Sequence, residues 1–402
     1  MSSPSTAPNA LPLAGIKIVE FTHMVMGPAV GAVLVELGAE VIRIEPIGGD
    51  STRSLLGSGA GYFPMFNRGK KSICLNLKDP KGLAIARRLV ASADALVENF
   101  RSGTMEKLGL GYESLALENP RLIYCSEKGF LPGPYENRVA LDEVTQMMGG
   151  LAYMTGPPGR PLRAGASVID IAGGMFGAIA ILAALQQRHV TGRGQRVSSA
   201  LFETTVYLVG QHMAQMAVTG QPAKPMPVRL SAWAIYDVFE TKDAEQVFVG
   251  VVSDSLWVKF CEAFELHKLG ANPDYRLNNQ RVKSREILLP QVRELFKTFT
   301  KAELVAKLET TGLPFAPIGK PEDMFDDPHL LASGGLAGVK LPDGRESRLP
   351  VIPIEMDGQR PGRGGDLARV GQHTLEVLQD LGFAEGEIAS MSASGVIAGE
   401  SG

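Results

Sequence analysis

Short apolar runs alternate with amphipathic segments through the first third of the chain. Runs of strand length occur at residues 16–21, 41–45, 95–98 and 122–126. Buried parallel strands are typically continuous apolar runs of this kind, and strands that alternate with helices favour a parallel sheet. The pattern therefore predicts an α/β fold with a large doubly wound parallel-sheet domain.

The turn after the first predicted strand covers residues 22–28 and is followed by a segment of helical composition. This turn lacks the G-x-G-x-x-G pattern, so a dinucleotide site is not supported. Ligands of open parallel sheets nevertheless bind in the loops after the carboxyl ends of the strands. We therefore expect the ligand site at that edge of the sheet.

The composition changes near residue 222, where three prolines fall within six residues. A predicted hairpin and three predicted helices follow, which is typical of an α+β domain. A Pro- and Gly-rich stretch and a terminal helix complete the chain. We predict a large α/β domain whose two parts flank a smaller inserted α+β domain, with boundaries at 11–221, 222–330 and 331–402.

Composition and charge exclude several classes of protein. The 402 residues carry a net charge of -3, which gives no indication of a nucleic-acid partner. The three cysteines, Cys74, Cys125 and Cys261, are too widely spaced for a metal motif or a disulfide framework. The first ten residues lack the features of a signal peptide. We therefore expect a cytoplasmic protein with no bound metal.

The most apolar run is the predicted helix at residues 171–185. It is too short to span a membrane and it opens on the charged residue Asp170. We therefore predict a core helix and no association of the protein with a membrane. A carboxylate at a helix start faces unpaired N–H groups, which favours its ionised form.

Asp170 has two interpretations. It is a helix N-cap, a position that Asp favours, or it is a carboxylate nucleophile in a cleft. In the second case Gly173 and Gly174 would let a ligand approach the backbone. The paired glycines Gly149 and Gly150 are candidates for the same role, and the residues themselves do not decide between the two interpretations.

Four cations surround a short predicted strand after residue 66, namely Arg68, Lys70, Lys71 and Lys78. Basic clusters are often plain solvated surface. The alternative is a phosphate-binding rim.

An ordered series of short motifs runs through nearly the whole chain. It includes Gly27-Pro28-Ala29, Asn67-Arg68-Gly69-Lys70-Lys71-Ser72, Val97-Glu98-Asn99-Phe100, Asn119-Pro120-Arg121, Asp170 and Gly192-Arg193-Gly194-Gln195. In this series the chain resembles the class III CoA-transferases, also called the CaiB/BaiF family. That group includes formyl-CoA:oxalate and carnitine CoA-transferases and the α-methylacyl-CoA racemases.

The resemblance implies that the two-domain chain interlocks with a second copy in a homodimer. It also implies that Asp170 is a nucleophile. The expected reaction moves CoA from an acyl-CoA, such as succinyl-CoA, to a carboxylic acid through a covalent aspartyl intermediate. The CoA thioester is then a substrate, and no permanently bound cofactor is expected.

Matching family positions imply a set of residues along CoA: His23, Met24, Val25, Leu75, Lys78, Asn99, Phe100 and Lys107. Glu143 is expected near the active site by the same comparison. Arg138, Arg163 and Arg229 are candidates to bind a second carboxylate, which would suit a dicarboxylate acceptor. Among these, Arg138 is the predicted substrate residue.

Two other functions stay open. The racemase branch carries a histidine after the strand at 122–126, but no histidine occurs here between His23 and His189, which argues against proton transfer at an α-carbon. The Gly-rich loop of the formyl-CoA branch is absent from residues 229–252. An inactive CoA-binding subunit of a heteromer remains the second alternative.

Overall fold

The computed structural model describes residues 11–229, 231–341, 343–362 and 364–399. The chain divides into two compact units. The first combines the chain up to Pro227 with the chain from Pro328 onwards, and the second is Val228–Asp327. The domain boundaries predicted from composition, at residues 222 and 331, stay a prediction.

The strands follow the order of the chain. They are β1 Lys17–Phe21, β2 Glu40–Glu45, β3 Lys71–Leu75, β4 Ala95–Glu98, β5 Ile123–Lys128, β6 Arg196–Ala200, β7 Tyr236–Glu240, β8 Gln246–Gly250, β9 Phe315–Pro317, β10 Leu336–Lys340, β11 Glu346–Pro350 and β12 Ile397–Ala398.

The helices of the first unit are α1 Met26–Glu36, α2 Tyr62–Asn67, α3 Pro80–Ala91, α4 Thr104–Lys107, α5 Tyr112–Glu118, α6 Asp142–Met148, α7 Leu151–Thr155, α8 Val168–Thr191 and α9 Leu201–Thr219. Those of the second unit are α10 Asp254–Ala263, α11 His267–Gly270, α12 Asn278–Lys283, α13 Arg285–Phe296 and α14 Lys301–Glu309. The first unit ends with α15 Pro328–Ala332, α16 Thr374–Asp380 and α17 Glu385–Ala393.

The first unit is built on a seven-stranded sheet of order β12-β3-β2-β1-β4-β5-β6. Strands β1 to β6 are parallel, and β12 pairs antiparallel with β3. The predicted α/β fold with a large parallel sheet is therefore confirmed. The strand order reverses between β1 and β4, and such a reversal opens a crevice at the carboxyl ends of the strands.

Apolar side chains cover both faces of this sheet. On one face, α1 and α8 bury Val30, Leu34, Ala178 and Ile181 against the strands. On the other face, α3, α5, α16 and α17 contribute to a second cluster that includes Ile85. Since both faces are covered, the central strands are apolar throughout, as their sequence pattern indicates.

Helix α8 extends beyond the predicted bounds of 171–185 and covers 24 residues. In the described part of the chain it is the one helix long and apolar enough to cross a membrane, judged by length and composition. It nevertheless packs on β5, β6 and α1, and 44% of its most apolar window is buried. In the structure it is a core helix of the first unit.

The close approach of α8 to α1 depends on glycines. A β-carbon on Gly173 would lie 2.6 Å from Cε of Met26, and one on Gly174 would lie 2.8 Å from Cβ of Ala29. The space beside both glycines is therefore filled by α1. The interpretation that they admit a ligand to the backbone is wrong.

The second unit has an antiparallel sheet of order β7-β8-β9. Helices α10, α13 and α14 pack on it around Trp257, Phe260 and Phe296. Strands β7 and β8 form the hairpin that alternation in the sequence predicts.

Candidate active site

The loops after β1 and β4 meet where the strand order reverses. The side chain of Asn99 accepts the N–H of His23 at 3.0 Å and donates to the His23 carbonyl at 2.9 Å. The His23 ring also stacks on Phe100, with 5.8 Å between the ring centroids. The structure thus brings together three of the residues that the resemblance assigns to CoA.

Met24 and Val25 continue this loop into α1. Met24 has a φ of 61°, which is unusual for a residue with a side chain and often marks a functional site. Its N–H donates to the Thr52 hydroxyl at 3.2 Å. The Val25 side chain is 1% exposed and packs with Ala29 and Phe66, so only its backbone is available to a ligand.

The remaining predicted CoA residues follow β3 and β4 along the chain. Leu75 ends β3 and its side chain is buried in the core. Lys78 lies in the turn between β3 and α3, and Lys107 ends α4. Both lysines are exposed. Because the carboxyl ends of parallel strands share one edge of a sheet, these segments start at the edge that carries His23 and Asn99.

The basic cluster is largely structural. Arg68 is 3% exposed and pairs with Glu36 at 2.9 Å. Lys70 is buried against Glu20 at 2.9 Å, and burial lowers its pKa to about 8. The hypothesis of a phosphate-binding rim is therefore wrong for both residues, and Lys78 is the exposed member of the cluster.

Asp170 is the third residue of α8, and another carboxylate caps this helix. Oδ2 of Asp142 accepts the N–H of Ile169 at 2.9 Å and that of Asp170 at 3.2 Å. Ser167 stands at the N-cap position without a side-chain bond to the helix. The N-cap interpretation of Asp170 is therefore wrong, because Asp142 fills that role.

A buried network holds Asp142 in place. Its side chain is in the interior, where Gln146 donates an amide N–H to Oδ1 at 2.5 Å. The carbonyl of Gln146 in turn accepts the N–H of Ala164 at 2.9 Å. Arg163 lies 3.5 Å from Oδ1 and also pairs with Glu143. The network joins α6 to the segment that leads into α8.

The environment of Asp170 disfavours its charge. Burial, followed by the carboxylates of Asp142 and Glu143, raises the pKa of Asp170 to about 7, and Arg163 acts in the opposite direction. The expectation that a helix start keeps this group ionised is wrong, because desolvation and two like charges outweigh the helix dipole. At neutral pH both protonation states of the carboxyl are populated.

The starts of α1 and α8 touch each other. Gly173 packs on Met26, the first residue of α1 and the neighbour of the loop His23 to Val25. Asp170 precedes Gly173 by three residues, or about 4.5 Å along the helix axis. The next residue after Asp170, Ile171, also packs with Val25, so the start of α8 lies beside the loop that carries the predicted CoA residues.

The predicted acceptor residues differ in their surroundings. Arg138 lies over the Tyr135 ring, with Cζ at 4.2 Å from its centroid, and is exposed. Glu143 is about half exposed and pairs with Arg163, and the charges of both residues act on the pKa of Asp170, so both lie near it. Arg229 belongs to the second unit.

Sequence reasoning missed the roles of Asp142 and Gln146. Their spacing of four residues puts both on one side of a helix, which is the signal that links them. Two candidate glycines follow α6. Gly149 packs on Thr205, whereas Gly150 has a φ of 89° and open space beside it. Gly150 is thus the glycine that leaves its backbone accessible.

Within residues 11–229, 231–341, 343–362 and 364–399, no group of three His, Cys, Asp or Glu side chains is arranged to hold a metal ion. The three cysteines are buried and free.

Comparison with known proteins identifies the family. The family model described as CoA-transferase family III matches residues 13–374. The chain therefore belongs to CoA-transferase family III, as the ordered motifs predict.

Individual relatives match over nearly the full chain. Succinyl-CoA:glutarate CoA-transferase of Mus musculus is 33% identical over 394 residues, which cover 96% of this chain and 90% of the relative. The beta subunit of succinyl-CoA–L-malate CoA-transferase of Chloroflexus aurantiacus is 31% identical over 399 residues, with 96% and 98% covered. The crystal structure of a CaiB/BaiF family protein from Brucella suis matches with a TM-score of 0.80 and 32% identity, covering 93% of this chain and 100% of that one.

Proposed function

We propose that this protein transfers CoA from succinyl-CoA to a dicarboxylic acid through a covalent intermediate on Asp170. The observation that carries the proposal is the capping of α8 by Asp142, because it leaves the Asp170 carboxylate available at a helix start. The names of the relatives in Mus musculus and Chloroflexus aurantiacus support succinyl-CoA as donor and a dicarboxylate as acceptor.

In the first step an oxygen of ionised Asp170 attacks the thioester carbonyl of succinyl-CoA. The C–S bond breaks, CoA leaves as its thiolate, and a mixed anhydride of Asp170 and succinate forms. The raised pKa of Asp170 makes its anion more nucleophilic than an ordinary carboxylate. Partial burial of the carboxyl protects the anhydride from water.

In the second step the thiolate attacks the Asp170 carbonyl carbon. The anhydride C–O bond breaks, succinate leaves, and Asp170 carries CoA as a thioester. The acceptor carboxylate then attacks the same carbon and displaces the thiolate, giving a second anhydride. Attack of the thiolate on the acceptor carbonyl releases the new acyl-CoA and regenerates the Asp170 carboxylate, with no net gain or loss of protons.

We assign the CoA site to the carboxyl ends of strands β1 and β4, where the strand order reverses. The stacked rings of His23 and Phe100, the backbone of Met24 and Val25, and the Asn99 side chain would lie along the cofactor portion of the substrate. The exposed cations Lys78 and Lys107 would meet its phosphates, and Leu75 would contribute backbone. The crevice that a reversed strand order creates supports this assignment.

We assign the distal carboxylate of the acceptor to Arg138. Its guanidinium is exposed and stacks on Tyr135, which orients the planar fork for a two-point bond to a carboxylate. Glu143, paired with Arg163, would border the same site.

We propose that two copies interlock in a homodimer. Helices α8 and α9 present apolar side chains to solvent in the single chain: Ile179 is 56% exposed and Tyr207 is 72% exposed. Exposed large apolar side chains on long helices are typical of an interface, and a second copy of the chain would cover them. The heteromer alternative is favoured by one observation, because the Chloroflexus aurantiacus relative is named as a subunit.

The test is covalent trapping. The purified chain is incubated with succinyl-CoA, treated with hydroxylamine or borohydride, and digested for mass spectrometry, with Asp170→Ala and Asp142→Asn alongside. A modification at Asp170 that is absent from Asp170→Ala supports the proposal. Binding of CoA without modification of Asp170 across a panel of acyl-CoAs would favour an inactive subunit or racemase chemistry.

A further inference from the structure

The start of α8 needs an acceptor for its first N–H groups, and two carboxylates are close enough to supply one. An acidic residue in the third helical position often folds back to the backbone N–H of the N-cap, and Asp170 occupies that position. In the structure Asp142 takes the N–H groups of Ile169 and Asp170, which follow the N–H of the N-cap residue Ser167. The two aspartates can therefore both serve the unpaired N–H groups of this helix start.

Asp142 is unsuited to be the nucleophile itself. Its side chain is 4% exposed, and both oxygens are engaged. Oδ1 accepts from Gln146 and faces Arg163, while Oδ2 accepts the two backbone N–H groups. A carboxylate held in this way can fix a helix start but cannot reach a substrate.

We propose that Asp142 is a positioning residue, which caps α8 in place of Asp170 and so keeps the Asp170 carboxyl turned away from its own backbone. The Gln146 side chain aligns Asp142, because its amide N–H donates to Asp142 and its carbonyl oxygen accepts the N–H of Ala164. The inference deepens the proposed function and rests on it for the role of Asp170. The charged groups that act on Asp170 are Asp142 and Glu143 of α6 and Arg163 of the preceding segment.

Two substitutions separate the cap from the charge. Asp142→Asn keeps an oxygen that can accept the two N–H groups but removes a negative charge next to Asp170. Asp142→Ala removes both the acceptor and the charge. Because the new amide of Asp142→Asn would face the Gln146 amide, the double variant Asp142→Asn with Gln146→Glu restores an acceptor opposite it and should recover thermal stability.

The first readout does not depend on turnover. A carbodiimide with an amine labels protonated carboxyl groups, so the labelling of Asp170 as a function of pH, measured by peptide mass spectrometry, follows its titration. For the unmodified chain we expect a midpoint at about pH 7. Both variants should move the midpoint to lower pH, because both remove a negative charge next to Asp170. Asp142→Ala should in addition slow the labelling of Asp170 at acid pH, because the carboxyl turns to the uncapped N–H groups of the helix start.

Thr300→Ala is the matched control. Thr300 caps α14 in the second unit, so its loss should lower the unfolding temperature but leave the labelling of Asp170 unchanged. Identical labelling rates at acid pH for Asp142→Ala and Asp142→Asn would overturn the inference. So would equal changes in Asp142→Ala and Thr300→Ala.

The second readout is the rate of covalent modification by succinyl-CoA. Asp142→Ala should slow it by about 100-fold, the cost of a small misplacement of a reacting group, and Asp142→Asn should slow it much less. If the unmodified chain forms no intermediate with any acyl-CoA while the labelling changes as expected, the proposed function fails and the positioning role stands. If the intermediate forms at equal rates in all variants, the positioning role fails alone.

Discussion

Gly174 of α8 lies against the backbone of Met26 of α1, with its β-position 2.8 Å from the Met26 carbonyl oxygen. The contact sets the distance between two helix starts, one following the predicted CoA loop and the other carrying Asp170. A side chain at 174 meets rigid backbone and Ala29, whereas one at 173 meets the flexible end of the Met26 side chain.

Gly174→Ala should therefore be more harmful than Gly173→Ala. Forcing a methyl group into a packed contact costs about 1 to 3 kcal/mol, and we expect Gly174→Ala to lose stability in this range while Gly173→Ala loses less. Chemical denaturation of both variants measures the difference. Equal stability of the two would contradict the assigned contact.

Asn99→Ala should weaken the binding of acyl-CoA. Loss of two hydrogen bonds to His23, worth about 1 kcal/mol each, frees the loop and should raise the KM for acyl-CoA about tenfold or more. Asn119→Ala is the control. The Asn119 side chain also donates to a loop backbone carbonyl, that of Ala93, but this loop lies at the amino end of β4, away from the proposed CoA site. A KM that rises equally in both variants would argue against a CoA site between β1 and β4.

Arg138→Ala should discriminate between acceptors. Since a hydrogen bond to a charged group contributes about 1.5 to 3 kcal/mol, the kcat/KM for a dicarboxylate should fall about tenfold or more, with little change for a monocarboxylate. Arg193→Ala, an exposed arginine in the segment before β6, is the control. An equal loss with both acceptors would remove Arg138 from the acceptor site.

Glu127 should make the protein less stable at alkaline pH. The Glu127 carboxyl is buried against Gly177 of α8, and the Cys125 thiol donates a hydrogen bond to it. Burial raises the pKa of Glu127 from 4.5 to about 8. Between these values the unfolded chain loses the proton while the folded chain keeps it, so stability falls as pH rises through this window.

The isosteric Glu127→Gln variant removes this effect. We expect it to match the unmodified chain at about pH 5 and to exceed it by on the order of 2 to 4 kcal/mol above the folded pKa. Urea denaturation at both pH values measures the difference. A difference that does not grow with pH would mean that Glu127 titrates normally in the folded protein.

The sequence pattern was a good guide to the sheet and a poor one to side-chain roles. Apolar runs locate β1, β2, β4 and β5, because buried parallel strands must be apolar on both faces. Ordered motifs identify the family over nearly the whole chain. Asp170 could be singled out as a charge in an apolar run. The residue that caps its helix could not, because Asp142 lies 28 residues away along the chain and contacts the helix start only in the folded structure.

Burial explains the other errors. Arg68 and Lys70 look like a surface rim in the sequence because their partners, Glu36 and Glu20, are distant along the chain. Gly173 and Gly174 look in the sequence like a site for ligand approach, because the helix that fills the space beside them, α1, is even farther away along the chain. The charge state of Asp170 depends on burial, which local sequence does not specify.

The central claim is that Asp170 carries the transferred group, and isotope transfer from the acceptor tests it most directly. In the last of the proposed reaction steps, the anhydride oxygen that came from the acceptor carboxylate remains on Asp170 when the new acyl-CoA leaves. With a dicarboxylate labelled with heavy oxygen and succinyl-CoA as donor, we predict that the Asp170 peptide gains one heavy oxygen in a single turnover. Turnover without any label in that peptide would contradict the account.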